Sequence, residues 1–331
     1  MSELYPLLMT PIFDPRPWGR LDLLPIYPKK FQERIGESWL TGDNGRVQNG
    51  SHAGQSLAEL ASRYQRELVG EAPVDAARFP LLVKFLFPAD KLSVQVHPDD
   101  AAAQELGEPW GKTECWYVAQ AQPGAEIGLG LKPGATRSEF ERAIRENRAE
   151  ELLNWIKVTA GDMIFVAGGT VHTLGPGSII VETQQQSDTT FRLYDYGRPR
   201  ELHLDNGLRV IKDQVASGKV KPQPFSKMGA NGNLRRPLVE SRYFVVESFR
   251  LHAEQEFLAL AGKSSAQILV ATDGEGFLEV PGTDPVKLGK GDAVVVPASF
   301  PRFKVRPQLG IAFLKSYVPG VAVAEPETSL V

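Results

Sequence analysis

The stretch Leu92 to Trp116, LSVQVHPDDAAAQELGEPWGKTECW, narrows the folds open to this chain more than any other. Both of its ends alternate apolar and polar residues, the pattern of strands with one face against a core. Ser93, Gln95 and His97 share one face of the first run, and Leu92, Val94 and Val96 the other. Lys112, Glu114 and Trp116 share a face of the second run. One face of a two-stranded unit therefore carries an amide, an imidazole, an ammonium and a carboxylate. Buried polar groups cost several kcal/mol unless partnered, so these need a common partner. A divalent metal satisfies the imidazole, the carboxylate and the amide oxygen together.

Around this stretch the chain reads as mainly β. Gly and Pro are plentiful, with 31 and 25 residues, and short Val/Ile/Phe runs recur between them. Residues 80–86, PLLVKFL, predict a buried strand interrupted by Lys84, which either reaches the strand edge or serves a ligand. Glu126 to Leu131 and Met163 to Val166 predict further strands, and Gly168-Gly169 turns the chain to deliver His172 on the next. From Val181 to Tyr196, alternation puts Glu182, Gln184, Gln186, Asp188, Thr190 and Arg192 on one face if no bulge intervenes. Helices are expected over 55–70, with Leu57, Leu60, Ala61 and Tyr64 inward and Gly70 as C-cap, and over 201–216. A third is expected over 136–155, opened by a Thr136/Glu139 capping box, with Phe140, Ile144, Leu152 and Trp155 inward. The segment Gly36-Glu37-Ser38-Trp39 reads equally as packing or as function. His52, His203 and His252 read as surface residues.

The second half repeats the first. GDMIFVAGGTVH begins at Gly161 and GDAVVVPASFPR at Gly291; ECWYVAQAQPGAEI at Glu114 matches QILVATDGEGFLEV at Gln267. Ligand-type Glu114 and His172 become Gln267 and Arg302. The expected division is a catalytic domain over 1–216 with helical insertions, a linker over 217–238, and a domain over 239–331 that keeps the turns and strands without the ligands.

Composition sets the outer limits. With 37 basic and 40 acidic residues the formal net charge is -3, which gives no general attraction for nucleic acid or membranes. An anionic ligand would need a local basic cluster. A single cysteine, Cys115, rules out an intramolecular disulfide framework and fits a reducing cytoplasm. The first residues lack the pattern of a signal peptide, and no apolar run reaches ~20 residues, so no membrane span is expected.

The glycine-turn-histidine pattern resembles that of cupins, which are jelly-roll barrels. LSVQVHPDD, GKTECWYV, GGTVHTLGPG and the QQQSDTTFRLYDYGR run resemble type I phosphomannose isomerase, and TPIFDPRPWG and IGESW fit it too. The likeness runs from about Leu7 to Pro319 and matches the short form, without the long helical insertion of larger members. It departs at Phe87-Pro88 and at Ala167, where cupins favour proline.

The resemblance implies two cupin-type jelly-roll barrels with a few added helices. It implies a Zn2+ site built from Gln95, His97, Glu114 and His172, and a catalytic arginine at Arg192. It also implies a sugar phosphate substrate, with aldose-ketose isomerisation through a cis-enediol. Lys112 and Lys84 would suit substrate oxygens, Arg198 the phosphate, and Glu182 and Asp188 acid/base work. Glu182, Asp188, Lys112 and a metal-bound water all stay open as the base. An isomerase for another sugar, a non-catalytic sugar-binding cupin and an iron dioxygenase are the competing readings; a histidine is usual in the last where Gln95 stands.

Overall fold

The structure, a computed structural model, describes residues 3–71, 75–213, 216–229, 232–252, 258–261, 265–320 and 330. In the first half the strands are β1 (Leu7–Thr10), β2 (Ile12–Leu23), β3 (Tyr27–Trp39), β4 (Arg46–Val47), β5 (Leu81–Leu86), β6 (Val94–Val96), β7 (Glu114–Ala121), β8 (Glu126–Leu131), β9 (Leu153–Lys157), β10 (Met163–Val166), β11 (His172–Leu174), β12 (Ser178–Gln185) and β13 (Phe191–Tyr194). In the second they are β14 (Gly218–Lys219), β15 (Ser226–Met228), β16 (Asn233–Glu240), β17 (Val245–Leu251), β18 (Leu258–Ala261), β19 (Gln267–Glu279), β20 (Val286–Gly289), β21 (Ala293–Val296) and β22 (Arg302–Tyr317). The α-helices are α1 (Leu57–Tyr64), α2 (Arg66–Val69), α3 (Asp100–Glu105), α4 (Arg137–Arg145) and α5 (Leu204–Val210).

The expected mainly β fold is present, as two jelly-roll barrels. In the first, a sheet ordered β14-β10-β7-β12-β5-β3-β2 packs on a sheet ordered β13-β6-β11-β8-β9. Trp116, Ile164 and Ile180 from one sheet meet Ile127, Leu129 and Leu174 from the other. The second half lays down β15-β16-β17-β22-β19-β21-β1, the same spatial order as β2-β3-β5-β12-β7-β10-β14 read from its opposite end. Its interior is filled by Phe249, Leu269, Leu278, Val294, Phe303 and Phe313.

The two large sheets stand back to back. Leu81, Val83 and Phe85 of β5 and Val181 of β12 share a core with Val246, Ile268, Val270 and Leu314 of the second barrel. Both faces of β5 are thereby covered, which is why PLLVKFL reads as a continuous apolar run rather than an alternating one. Lys84 does not snorkel; it is held inside the first barrel at 4% exposure.

Backbone pairing bears out the repeat. Glu114 lies opposite Val166 and Tyr117 opposite Met163; Gln267 lies opposite Val296 and Val270 opposite Ala293. The turn is also duplicated, with φ of 93° at Gly161 and 89° at Gly291, a conformation that suits glycine. Gly161 N–H donates to Val118 O and Gly291 N–H to Ala271 O, and Asp162 and Asp292 each accept a backbone N–H three residues upstream.

One difference between the copies is systematic. In the first barrel Lys84 lies opposite Glu182, and Glu37 sits two places along on the neighbouring strand. In the second, Glu247 lies opposite Lys315, and Arg235 takes the place of Glu37. The first trio reads acid, base, acid, with Lys84 Nζ 3.2 Å from Glu37 and 3.1 Å from Glu182. The second reads base, acid, base, with Glu247 2.8 Å from Lys315 and accepting from Arg235 Nε at 2.8 Å.

Several expected elements are shorter or of another kind. The 55–70 helix breaks at Gln65, whose φ is 42°, into α1 and α2; Gly70 does cap the second piece. The Thr136/Glu139 box forms with both hydrogen bonds, but α4 ends at Arg145 and Asn147 adopts φ 57°. Leu153–Lys157 then pairs with β8, so Trp155 is a strand residue: tertiary pairing overrides the helical period. The 201–216 helix is α5 alone, and 214–215 lie outside the described residues, as do 253–257, 262–264 and 321–329 of the expected second domain. Residues 217–238, expected as a linker, hold β14, β15 and the start of β16, and β1 from the other end of the chain pairs with β21. His52 is buried, stacked on Tyr5 at 5.4 Å, not a surface residue.

Removing one member of a buried pair leaves the other charge desolvated. Glu247→Ala is therefore expected to destabilise the protein by about 3–5 kcal/mol. Arg235→Ala, at a half-exposed side chain, is expected to cost no more than about 1 kcal/mol. Urea unfolding followed by intrinsic fluorescence measures both.

Candidate metal centre and substrate pocket

β6, β7 and β11 carry the centre. β11 pairs with β6 so that His172 lies opposite Gln95, and β7 brings Glu114 in from the other sheet. One ligand atom from each of His97, Glu114 and His172 falls within a group no wider than 4.8 Å. Glu114 Oε1 is 3.5 Å from His172 Nε2 and Glu114 Oε2 is 3.6 Å from His97 Nε2.

The tautomers are set by the backbone. His97 Nδ1–H donates to Thr189 O at 2.9 Å, and His172 Nδ1–H donates to Thr170 O at 2.9 Å. Both Nε2 lone pairs consequently point at the shared space, as a metal-binding imidazole requires. The Gln95 amide lies 3.3 Å from His172 Nε2, and its other end meets the Ser93 hydroxyl at 3.2 Å. A hydroxyl donates or accepts equally well, so Ser93 satisfies the amide with its oxygen turned either way.

The electrostatics also fit a cation. Both Glu114 oxygens are buried without a hydrogen bond. Burial, then the nearby Glu182 carboxylate, pushes the Glu114 carboxyl up to about 8. Burial holds His172 down at about 3, and burial with Lys112 and His172 holds His97 well below its ordinary value, so both rings are neutral. Neutral imidazoles beside an unsolvated carboxylate form a donor set that a divalent ion completes. Lys112 Nζ donates to His97 Nε2 at 3.2 Å and stands 3.6 Å from Glu114 Oε2, beside the donor set.

A cavity of about 460 Å³ opens next to this centre, with Gln95 and Lys112 in its wall. Of the residues expected in the site, Lys84, Glu182, Asp188 and Arg192 line it as well. They do not share one strand face as expected. β12 ends at Gln185, and Arg192 arrives on β13 of the opposite sheet, so two sheets supply what alternation assigned to one. Glu182 Oε2 accepts from Trp116 Nε1 at 2.9 Å. Asp188 is exposed.

Arg198 is not in the wall: it is engaged with Asp90, Asp195 and the Lys91 carbonyl. His203 braces the wall from behind, its Nδ1 accepting from the Arg192 N–H at 3.2 Å.

The cavity also contains Arg16, Trp18, Glu37 and Arg200, none of which was singled out as a site residue. Glu37 accepts from Arg16 Nε, Lys84 Nζ and Trp39 Nε1, at 3.1, 3.2 and 2.7 Å. Burial opposes its charge, but Lys84 and then Arg16 outweigh it and hold the carboxyl at about 2. The available signal was the Gly-Glu-Ser-Trp segment, a carboxylate between small and aromatic residues.

Comparison with known proteins agrees with this geometry. Residues 27–143 match the family model of the phosphomannose isomerase type I catalytic domain. The mannose-6-phosphate isomerase ManA of Bacillus subtilis is 37% identical over 312 residues, covering 91% of this chain and 95% of that protein. This chain belongs to the type I phosphomannose isomerases. A mannose-6-phosphate isomerase of Streptococcus mutans is 37% identical over 275 residues, 80% of this chain and 83% of that one. The crystal structure of the B. subtilis mannose 6-phosphate isomerase superposes with a TM-score of 0.83 at 31% identity, covering 95% of this chain and 99% of that one. The family is one of aldose-ketose isomerases. No described helix is long and apolar enough to cross a membrane.

With the Glu114 carboxyl near 8 in the metal-free site, it is protonated at pH 6.5 and must lose that proton to bind a cation. Titrating metal-free protein with Zn2+ in buffers of different ionisation enthalpy should show about one proton released per ion at pH 6.5. The number should fall toward zero above pH 9, where the carboxylate is already ionised.

Proposed function

We propose that this protein interconverts mannose 6-phosphate and fructose 6-phosphate through a cis-enediol, as a zinc enzyme of a reducing cytoplasm. The observation that carries the reading is the pair of orphaned Glu114 oxygens facing two imidazole lone pairs beside a cavity lined by five cationic side chains and three carboxylates. Two imidazoles, a carboxylate and an amide suit zinc among the common divalent ions. Buried Cys115, with burial pushing its thiol well up, is a packing residue rather than a nucleophile. Relatives named as mannose-6-phosphate isomerases supply the substrate.

A cation held by Gln95, His97, Glu114 and His172 would act as a Lewis acid on the substrate carbonyl and so acidify the neighbouring C–H. The chain's own groups supply the rest. Lys112, at the rim of the donor set, is placed to donate to the ring oxygen as the sugar opens. Glu182 Oε1 lies 3.1 Å from the Lys84 ammonium, which holds the carboxylate in the cavity wall. It is the buried carboxylate of the cavity fit to take a proton from the carbon next to the carbonyl and return it one carbon away. Lys84 stays charged, its pKa raised because Glu182 and Glu37 outweigh burial, and so holds Glu182 in place without itself exchanging protons. Arg192, from the facing wall, stabilises negative charge developing on the enediol oxygens.

A coupled assay with mannose 6-phosphate should show turnover that a chelator abolishes and Zn2+ restores. Absence of turnover in metal-replete protein would refute the reading. Arg192→Ala is expected to lower kcat by about 100-fold with zinc content unchanged by elemental analysis. Glu182→Gln is expected to lower kcat by about 100- to 10,000-fold with little effect on zinc.

A further inference from the structure

Three guanidinium groups converge on the cavity wall from three separate segments: Arg16 on β2, Arg192 on β13 and Arg200 in the loop before α5. Arg16 is held at two points, its Nε by Glu37 and its Nη1 by Asp14 at 2.6 Å. Arg200 is clamped by Nε and Nη2 to buried Asp195 at 2.6 and 2.7 Å. The remaining nitrogens, Arg16 Nη2 and Arg200 Nη1, have no partner among the described residues. Arg192 spends Nη1 on the Glu201 carbonyl at 2.7 Å, while its Nε is buried without a hydrogen bond.

Like charges brought together repel. Burial first, and then Arg200 and Arg16, lower the Arg192 pKa, so Arg192 feels the charge of both neighbours. An anion between them reverses that penalty. Fork-shaped donors braced from behind suit an anion with several acceptor oxygens. The cavity is also graded. Lys84 and Lys112 are almost fully buried near the donor set, whereas the Arg16 and Arg200 side chains keep 28% and 23% of their exposure. A six-carbon sugar with its reacting carbons at the deep end directs a 6-phosphate toward the shallow one.

We propose that Arg16 and Arg200 hold the phosphate group of the substrate and determine the preference for phosphorylated sugars. Arg198, the arginine expected in this role, has both terminal nitrogens engaged elsewhere. The proposal rests on the isomerase reading and adds the residues that select the phosphate.

The test compares wild type, Arg16→Gln, Arg200→Gln and Arg200→Lys as zinc-loaded enzymes, with mannose 6-phosphate and unphosphorylated mannose. Each glutamine variant should lower the ratio of kcat/KM for mannose 6-phosphate over mannose by about 10- to 100-fold, mainly through KM. Inorganic phosphate, as a competitive inhibitor, should weaken by a similar factor. Arg200→Lys keeps the charge opposite Asp195 and should recover part of the ratio. An unchanged ratio in folded, zinc-loaded glutamine variants, or an equal loss with both sugars, overturns the proposal. Wild-type protein inactive on mannose 6-phosphate overturns the isomerase reading instead. Phosphate binding by calorimetry then decides the arginine assignment separately: loss in the glutamine variants supports it, and retention overturns it.

Discussion

A carboxylate with no solvent and no hydrogen bond is the constraint that organises the first barrel. Glu114 is brought in by β7 to face two imidazoles whose protons are committed to backbone carbonyls. Nothing in such a set donates to the carboxylate, and the nearest cation is a lysine at its rim, 3.6 Å from Oε2. On one side the barrel interior is packed with apolar side chains; on the other the centre meets the polar cavity through Gln95 and Lys112. The remaining polar groups of the interior then follow in order of distance. Lys84 is balanced by two carboxylates, Glu182 by Lys84 and an indole N–H, and Glu37 by two cations and another indole.

Much of this was legible in the residues. Period-two alternation placed Gln95 and His97 together, and the glycine turn placed His172, because short strands on a barrel obey side-chain direction strictly. The repeat was legible because a tight turn with positive φ needs glycine, and both copies kept theirs. The rest failed for identifiable reasons. Helical spacing continues past Arg145, but the segment gains more from pairing with β8 than from extending α4. The polar run from Glu182 to Arg192 was read as one strand; a change of sheet after Gln185 leaves no trace in the alternation. Arg16, Glu37 and Arg200 come from segments far apart in the chain, and a pocket closed by loops has no period to detect. Arg198 and Arg200 lie two residues apart, and only the position of Asp90 and Asp195 separates the roles assigned to them.

The second barrel shows what the same backbone does without the metal donors. Gln267 takes the register position of Glu114 and turns its amide nitrogen to the Ser265 carbonyl, and Arg302 at the His172 position is exposed. The described interior is packed with phenylalanine, leucine and valine. Its back packs against the large sheet that carries Glu114 and Glu182.

The opposed polarity of the two buried trios bears on how the halves find their own strands during folding. Two copies of one topology within a single chain invite mispairing, since either central strand fits the other's backbone. Were β5 to dock on β22, Lys84 would meet Lys315; were β17 to dock on β12, Glu247 would meet Glu182. Each error would bury two like charges side by side, whereas each correct pairing neutralises them. The inversion thus sets an electrostatic cost against exchanging central strands between the halves.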